Sequence, residues 1–84
     1  MTQLAINIPD GVFSALQKDQ DEFARDLRIA AAVKWYELEQ ISQGRAAEIA
    51  GLSRGEFITA LLQYKVSPFQ YSAEEVLEDL AGAD

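Results

Sequence analysis

The sequence predicts a mainly α-helical fold with an N-terminal β-strand, a long central helix, a helix-turn-helix and a short acidic C-terminal helix. Three observations predict it. Residues 4–8 alternate between apolar and small or polar side chains. Residues 21–40 carry apolar side chains at helical spacing. "GRAAEIAGLSRGEF", residues 44–57, sets a glycine between two short helical patterns.

The elements follow in order. In "QLAINIP", Leu4, Ile6 and Ile8 point one way and Gln3, Ala5 and Asn7 the other. A period of two marks a half-buried strand. Pro9 ends it, and Asp10 is placed to cap the next helix. A lone strand needs a ladder partner, so it is expected to pair with its copy in a second chain. Leu4, Ile6 and Ile8 are then dimerisation residues and the protein a homodimer. "DGVFSALQK" fits a short helix, and Asp19 with Glu22 forms a capping box. The longest helix runs from Asp21 to about Gln40, with Asp21 and Arg25 spaced to pair. Phe23, Leu27, Ala31, Trp35 and Leu38 make one apolar stripe on it, and Ile29, Val33 and Tyr36 a second. A helix apolar on two sides is packed from two sides, as the centre of a domain or in a dimer interface.

"SQG" (42–44) reads as a break, followed by a helix from Arg45 to Ala50, a turn at Gly51-Leu52 and a helix from Ser53 to about Tyr64. Ser53 and Glu56 form a second capping box. "VSPFQYS" is extended, because Pro68 holds Ser67 out of the helical region. Ser72 and Glu75 open the last helix, "AEEVLEDL". The organisation expected is a dimerisation module (1–40), a helix-turn-helix (41–66) and a partner-binding segment (67–84).

Composition narrows the function. A chain of 84 residues fits one domain, too small to bury a generous core. It has no cysteine and no histidine, which removes disulfides and the usual zinc or copper ligands. No metal or other cofactor is expected, and self-association is the remaining staple. The usual nucleophile–base pairs and a glycine-rich phosphate loop are missing, so no enzyme and no small-molecule substrate are expected. No apolar run approaches the ~18 residues that span a bilayer, and no secretory signal stands at the start, so a cytoplasmic protein is expected.

The formal charge of −7 is unevenly spread. Residues 1–40 hold seven acids and four bases, residues 41–66 two acids and three bases, and residues 67–84 five acids and no base. Only the helix-turn-helix segment escapes the acidity. There Ala47 takes the small position where two helices cross, and Gly51 the turn, with Leu52, Phe57 and Leu61 as anchors. If the second helix reads DNA, its outward N-terminal residues are Ser53, Arg54, Gly55, Ile58 and Thr59. Arg54 is the candidate for a guanine edge, and Arg45 and Lys65 for phosphate. The alternative is a structural helical hairpin in a small protein-interaction module that binds no DNA. A ribbon of paired N-terminal strands is a rival DNA reader, but Gln3, Ala5 and Asn7 supply it no base.

In the tail, Val76, Leu77 and Leu80 lie on one side and Glu74, Glu75, Glu78 and Asp79 mainly on the other. So short a helix needs cover for its apolar face. It docks on its own domain or folds onto a basic partner, with Phe69 and Tyr71 beside Pro68 as anchors.

"LAINIPDGVFSAL", "EFARDLRIAAAVKWYELEQISQGRAAEIAGLSRGEFITALL" and "YKVSPFQYSAEEVLEDL" resemble, in that order, the small prokaryotic proteins of uncharacterised protein family 0175. The run from Ala24 through Phe57 and the "VSPFQY" segment carry most of the likeness. Members of that family are thought to be antitoxins of PIN-domain ribonuclease toxins. The resemblance implies an antitoxin that represses its own operon by binding operator DNA and covers the toxin with its C-terminal segment. Many antitoxins of such toxins push an Arg or Lys into the nuclease site. Residues 67–84 contain no base, so neutralisation is expected to work through Phe69, Tyr71, Val76, Leu77 and Leu80.

Overall fold

The computed structural model describes residues 1–69. They hold four helices: α1 (Asp10–Leu16), α2 (Gln20–Glu37), α3 (Gln43–Ala50) and α4 (Arg54–Gln63).

No strand is present among the described residues, which overturns the expected N-terminal β-strand. Residues 1–9 bond into no ladder, Leu4 and Ile6 are exposed and Ile8 is half-buried. Alternation in a sequence specifies two faces. A strand also requires inter-strand hydrogen bonds, and the described chain offers no second strand to make them. The start of α1 differs too. Asp10 is its first residue and its carboxylate caps nothing; Pro9, with φ −57°, takes the cap position. Proline's fixed φ already suits a helix start.

The Asp19 carboxylate accepts from the Glu22 N–H at 2.8 Å, and Glu22 Oε1 accepts from the Asp19 N–H at 3.5 Å, which opens α2. Arg25 and Asp21 form no ion pair; Lys18, from the turn before α2, takes Asp26 instead. At the other end α2 stops at Glu37, because Glu39 turns to φ +60°. The "SQG" segment is no simple break. Ser42 Oγ accepts from the Arg45 N–H at 3.1 Å, and Gln43 and Gly44 form the first turn of α3.

All four helices close alike. A residue with positive φ follows each one: Gln17, Glu39, Gly51 and Lys65. The next N–H then bonds five residues back, as in Leu52 to the Ala47 carbonyl at 3.0 Å and Val66 to the Leu61 carbonyl at 2.8 Å. This is the Schellman arrangement.

One core joins α2, α3 and α4. Ala32, Val33 and Tyr36 of α2 meet Ala46, Ala47 and Ala50 of α3, and Phe57 and Leu61 of α4, with Val66 closing the cluster. The alanines let α2 and α3 approach closely, and the two large rings fill the space left. Tyr36 and Phe57 meet edge to face, with centroids 6.0 Å apart. Helix α1 buries no residue fully; Phe13 lies against Phe23 of α2, with ring centroids 5.0 Å apart.

Helix α2 meets α3 and α4 along one side, and its other side is covered only near its start. Its second stripe faces the core. Of the first, Phe23 meets α1, while Leu27, Trp35 and Leu38 stay 39%, 43% and 53% exposed. The expected acidic C-terminal helix, with Tyr71, Val76, Leu77 and Leu80, lies outside the described residues.

Candidate nucleic-acid interface

The candidate site is the corner formed by α3, Gly51 and α4. Gly51 has φ +71°, where a side chain is strained. The chain turns there and re-enters a helix at Arg54, three residues later, with Ser53 as its cap. Ser53 sets the new helix: its Oγ accepts from the Glu56 N–H at 3.1 Å, and its own N–H donates to Glu56 Oε1 at 2.8 Å. The Ser53 N–H, and after it the Ser53 hydroxyl, hold the Glu56 carboxyl below the ordinary carboxylate range. Phe57, Ala60 and Leu61 turn α4 inward onto the core.

That inward face fixes the outward one. Ser53, Gly55, Glu56, Thr59, Leu62 and Gln63 are exposed, and Arg54 and Ile58 are half-buried. Thr59 donates its hydroxyl to the Gly55 carbonyl at 3.2 Å, which leaves its methyl and its oxygen lone pairs on the surface. The exposed side of α4 carries a single charge, Glu56, and that carboxylate is engaged in the cap.

The bases stand around this face. Arg54 Nε donates to Gln43 Oε1 at 3.1 Å, which ties the first turn of α4 to the first turn of α3. Arg45 is exposed on α3 and pairs with Glu48 at 3.0 Å. Both side chains there are well solvated, so the pair holds Arg45 only weakly. Lys65 is exposed just after α4, with φ +60°. Arg28 reaches across from α2, its Nε donating to the Ile49 carbonyl at 2.7 Å and Nη2 to the Glu48 carbonyl at 3.5 Å. It satisfies the end of α3 and lies against Gly51, where an added Cβ would meet its guanidinium at 3.4 Å.

The helix order, the glycine turn and the alanine-lined crossing are the features that the most specific part of the sequence encodes. A family model for an uncharacterised protein family, UPF0175, matches residues 1–84. The chain belongs to UPF0175. Two Aeropyrum pernix proteins, each named "UPF0175 protein", are similar to it. One is 37% identical over 78 residues, covering 93% of this chain and 82% of its own. The other is 34% identical over 59 residues, covering 70% of this chain and 75% of its own. No solved structure matches.

In this UPF0175 chain the structure brings Arg45, Ser53, Arg54, Gly55, Ile58, Thr59 and Lys65 to α3, α4 and the turn after α4. Two further residues of the corner escaped the sequence reading. Gln43 is the buried polar side chain of the described core. Its Oε1 holds Arg54, and its Nε2 lies 3.5 Å from both the Tyr36 hydroxyl and the Pro68 carbonyl. Arg28 supplies the end cap of α3 from another helix. For Gln43 the signal was its place beside Ser42, a strong N-cap type. Arg28 left no local signal, since its partners lie some twenty positions away. Of the anticipated partner-binding residues, Phe69 is exposed at 76%. The segment leading to it is fixed by the Tyr36 hydroxyl, which donates to the Pro68 carbonyl at 2.7 Å.

No group of acidic residues able to hold a metal ion occurs among the described residues. No described helix is long and apolar enough to cross a membrane.

Proposed function

We propose that this protein is an antitoxin-type regulator that binds operator DNA through α3 and α4 and a PIN-type ribonuclease toxin through the segment after Val66. The observation that carries the DNA half is the corner itself. A capped helix leaves a glycine turn with Ser53, Gly55 and Thr59 outward and Phe57, Ala60 and Leu61 locked on a three-helix core. A reading helix needs that arrangement in the major groove. Ser53 and Thr59 supply hydroxyls, Ile58 and the Thr59 methyl suit thymine methyl groups, and Arg54 suits guanine. Arg45 and Lys65 flank the face where phosphates would pass. The toxin half rests on the family resemblance and on the exposed Phe69.

The test is a mobility shift with the protein's own upstream DNA across a salt series. Binding is expected to weaken steeply with salt, and Arg45→Ala and Lys65→Ala are each expected to lower the salt slope by roughly one. Arg54→Ala is expected to relax sequence preference. Unchanged preference in Arg54→Ala removes that residue as a reader. For the toxin, a chain truncated after Val66 that still rescues growth when co-expressed with a PIN-type nuclease encoded beside its gene overturns the role of the tail.

A second reading has its own observation. The fully exposed residues of α4 include no base, Arg54 being half-buried beside Gln43, and Leu62 stands 61% exposed among them. That surface also suits a protein partner. Absence of any shift at low salt, with and without the nuclease, favours this interaction module.

A further inference from the structure

We propose that the outer face of α2 is a self-association surface, on which two copies of this chain pair α2 against α2 in antiparallel order about Ala31. The proposal rests on α2 and not on the DNA-binding reading.

Three observations lead to it. First, the face is apolar and uncovered: Ala24, Leu27, Trp35 and Leu38 are exposed and Ala31 partly so, on the side of α2 away from the core. Their spacing of three, four, four and three residues makes a narrow seam of the kind that packs helix on helix. Second, the seam is self-complementary. A two-fold contact needs a residue set that maps onto itself. About Ala31 the positions pair as Leu27 with Trp35 and Ala24 with Leu38. Ala24 then meets Leu38, Leu27 faces Trp35, and Ala31 meets its own copy at the crossing, where a small side chain lets the helices approach. Third, charge permits it. The whole chain is strongly acidic, which opposes pairing of two copies. Between Ala24 and Leu38, however, α2 carries Arg25, Arg28 and Lys34 against Asp26 and Glu37. The seam is therefore flanked by both signs, and neither a strongly basic nor a strongly acidic partner is selected by it.

The area sets the strength. From Ala24 to Leu38 the seam runs roughly 21 Å at ~1.5 Å per residue. A contact of that length falls short of the roughly 800 Å² per partner of a stable complex. The expected product is a reversible dimer. Helices α3 and α4 lie on the opposite side of α2, so pairing leaves the outward face of α4 uncovered in both copies.

The chain provides its own probes. Trp35 is the sole tryptophan, and cysteine is absent. Sedimentation of the full chain is expected to pass from monomer to dimer as concentration rises, with the Trp35 emission shifting to the blue in step. At an interaxial distance of about 8 Å and a Cα radius of about 2.3 Å, facing Cα atoms come within the ~7 Å that a disulfide tolerates. Ala31→Cys is therefore expected to oxidise to a disulfide dimer at least tenfold faster than Ser14→Cys, an exposed control on α1. Ala24→Cys and Leu38→Cys should link slowly alone and rapidly when mixed. Leu27→Gln and Leu38→Glu, each checked for an unchanged helical spectrum, should shift sedimentation to monomer. A full chain that stays monomeric throughout overturns the proposal. So does a dimer indifferent to both substitutions, or equal oxidation rates for Ala31→Cys and Ser14→Cys. Self-linking of Ala24→Cys as fast as the mixture would replace the antiparallel order with a parallel one and overturn it equally. If truncation after Phe69 reddens the Trp35 emission of a monomer, the occupant is this chain's own C-terminal segment.

Discussion

Glu39→Gly is expected to stabilise the fold, although it removes a side chain and adds only backbone freedom. Glu39 follows α2 with φ +60°, and its N–H donates to the Tyr36 carbonyl at 2.9 Å. A left-handed residue with a Cβ costs about 1–2 kcal/mol. Glycine escapes that cost but loses more freedom on folding, roughly 0.5–1 kcal/mol. The backbone difference favours glycine by about 0.5–1 kcal/mol. A second contribution comes from charge, because a carboxylate beyond the negative end of a helix is unfavourable by about 0.3–0.5 kcal/mol when exposed. The combined gain is about 1 kcal/mol, or roughly 4–8 °C in Tm for a domain of this size. Urea melts followed by circular dichroism at neutral pH measure it, with an unchanged slope showing that the unfolding reaction is the same. Glu39→Ala separates the two causes, since it removes the charge and keeps the Cβ. It should recover only the smaller part. If Glu39→Ala proves as stable as Glu39→Gly, the backbone argument fails. Gly51→Ala is the mirror experiment and should lose about 1 kcal/mol, chiefly through φ, because the Arg28 guanidinium at 3.4 Å is in ordinary contact with the added Cβ.

Other substitutions test the remaining links. Phe57 is fully buried against Tyr36, so Phe57→Ala should cost about 3–5 kcal/mol in a denaturant melt, a large share of the total stability of a small domain. Arg28→Ala leaves the Ile49 carbonyl without its charged donor and should cost about 1–2 kcal/mol; amide exchange should rise first at the end of α3. For Glu56 the sign follows from its depressed folded pKa. Its contribution is complete above the unfolded value of ~4.3 and is lost as pH falls through the lower folded value. A carboxyl titration by NMR should find Glu56 below the ordinary range, and Glu56→Gln should flatten that acid limb of the stability profile.

The legible parts of the fold were those written in local chemistry. Asp19 with Glu22 and Ser53 with Glu56 are capping pairs, each built within four residues, and both formed. Gly51 was legible because the left-handed turn disfavours other residues there. At Gln17, Glu39 and Lys65 the same turn is made by ordinary side chains, which announce nothing, and so α2 was expected to run on past Glu37. Residues 1–9 misled for a different reason. Their alternation is real, but pairing is a property of two segments, and one segment's pattern cannot supply the other. The Arg54–Gln43 contact was hidden likewise, since it joins the beginnings of two helices eleven positions apart. On α2 the two apolar stripes were visible, yet which one faces the core depended on where α3 and α4 settle.

The charge distribution links the two proposals. On the DNA-binding reading, Arg54 exchanges its bond to Gln43 for a guanine edge. Guanine recognition is worth about 1–3 kcal/mol of discrimination, and a bond from a charged donor such as the one surrendered is worth about 1.5–3 kcal/mol, which offsets much of that. One copy therefore reads sequence weakly through this residue. Its phosphate contacts are also few, with Arg45 and Lys65 set against a chain of net charge −7. A single copy gains little from counterion release and meets long-range repulsion from the duplex. Two copies joined through α2 double the contacts and make the second engagement intramolecular, which raises avidity without any new side chain. Dimerisation along the seam and DNA binding should then fail together in Leu38→Glu, whereas Arg54→Ala should alter sequence preference while leaving the dimer intact.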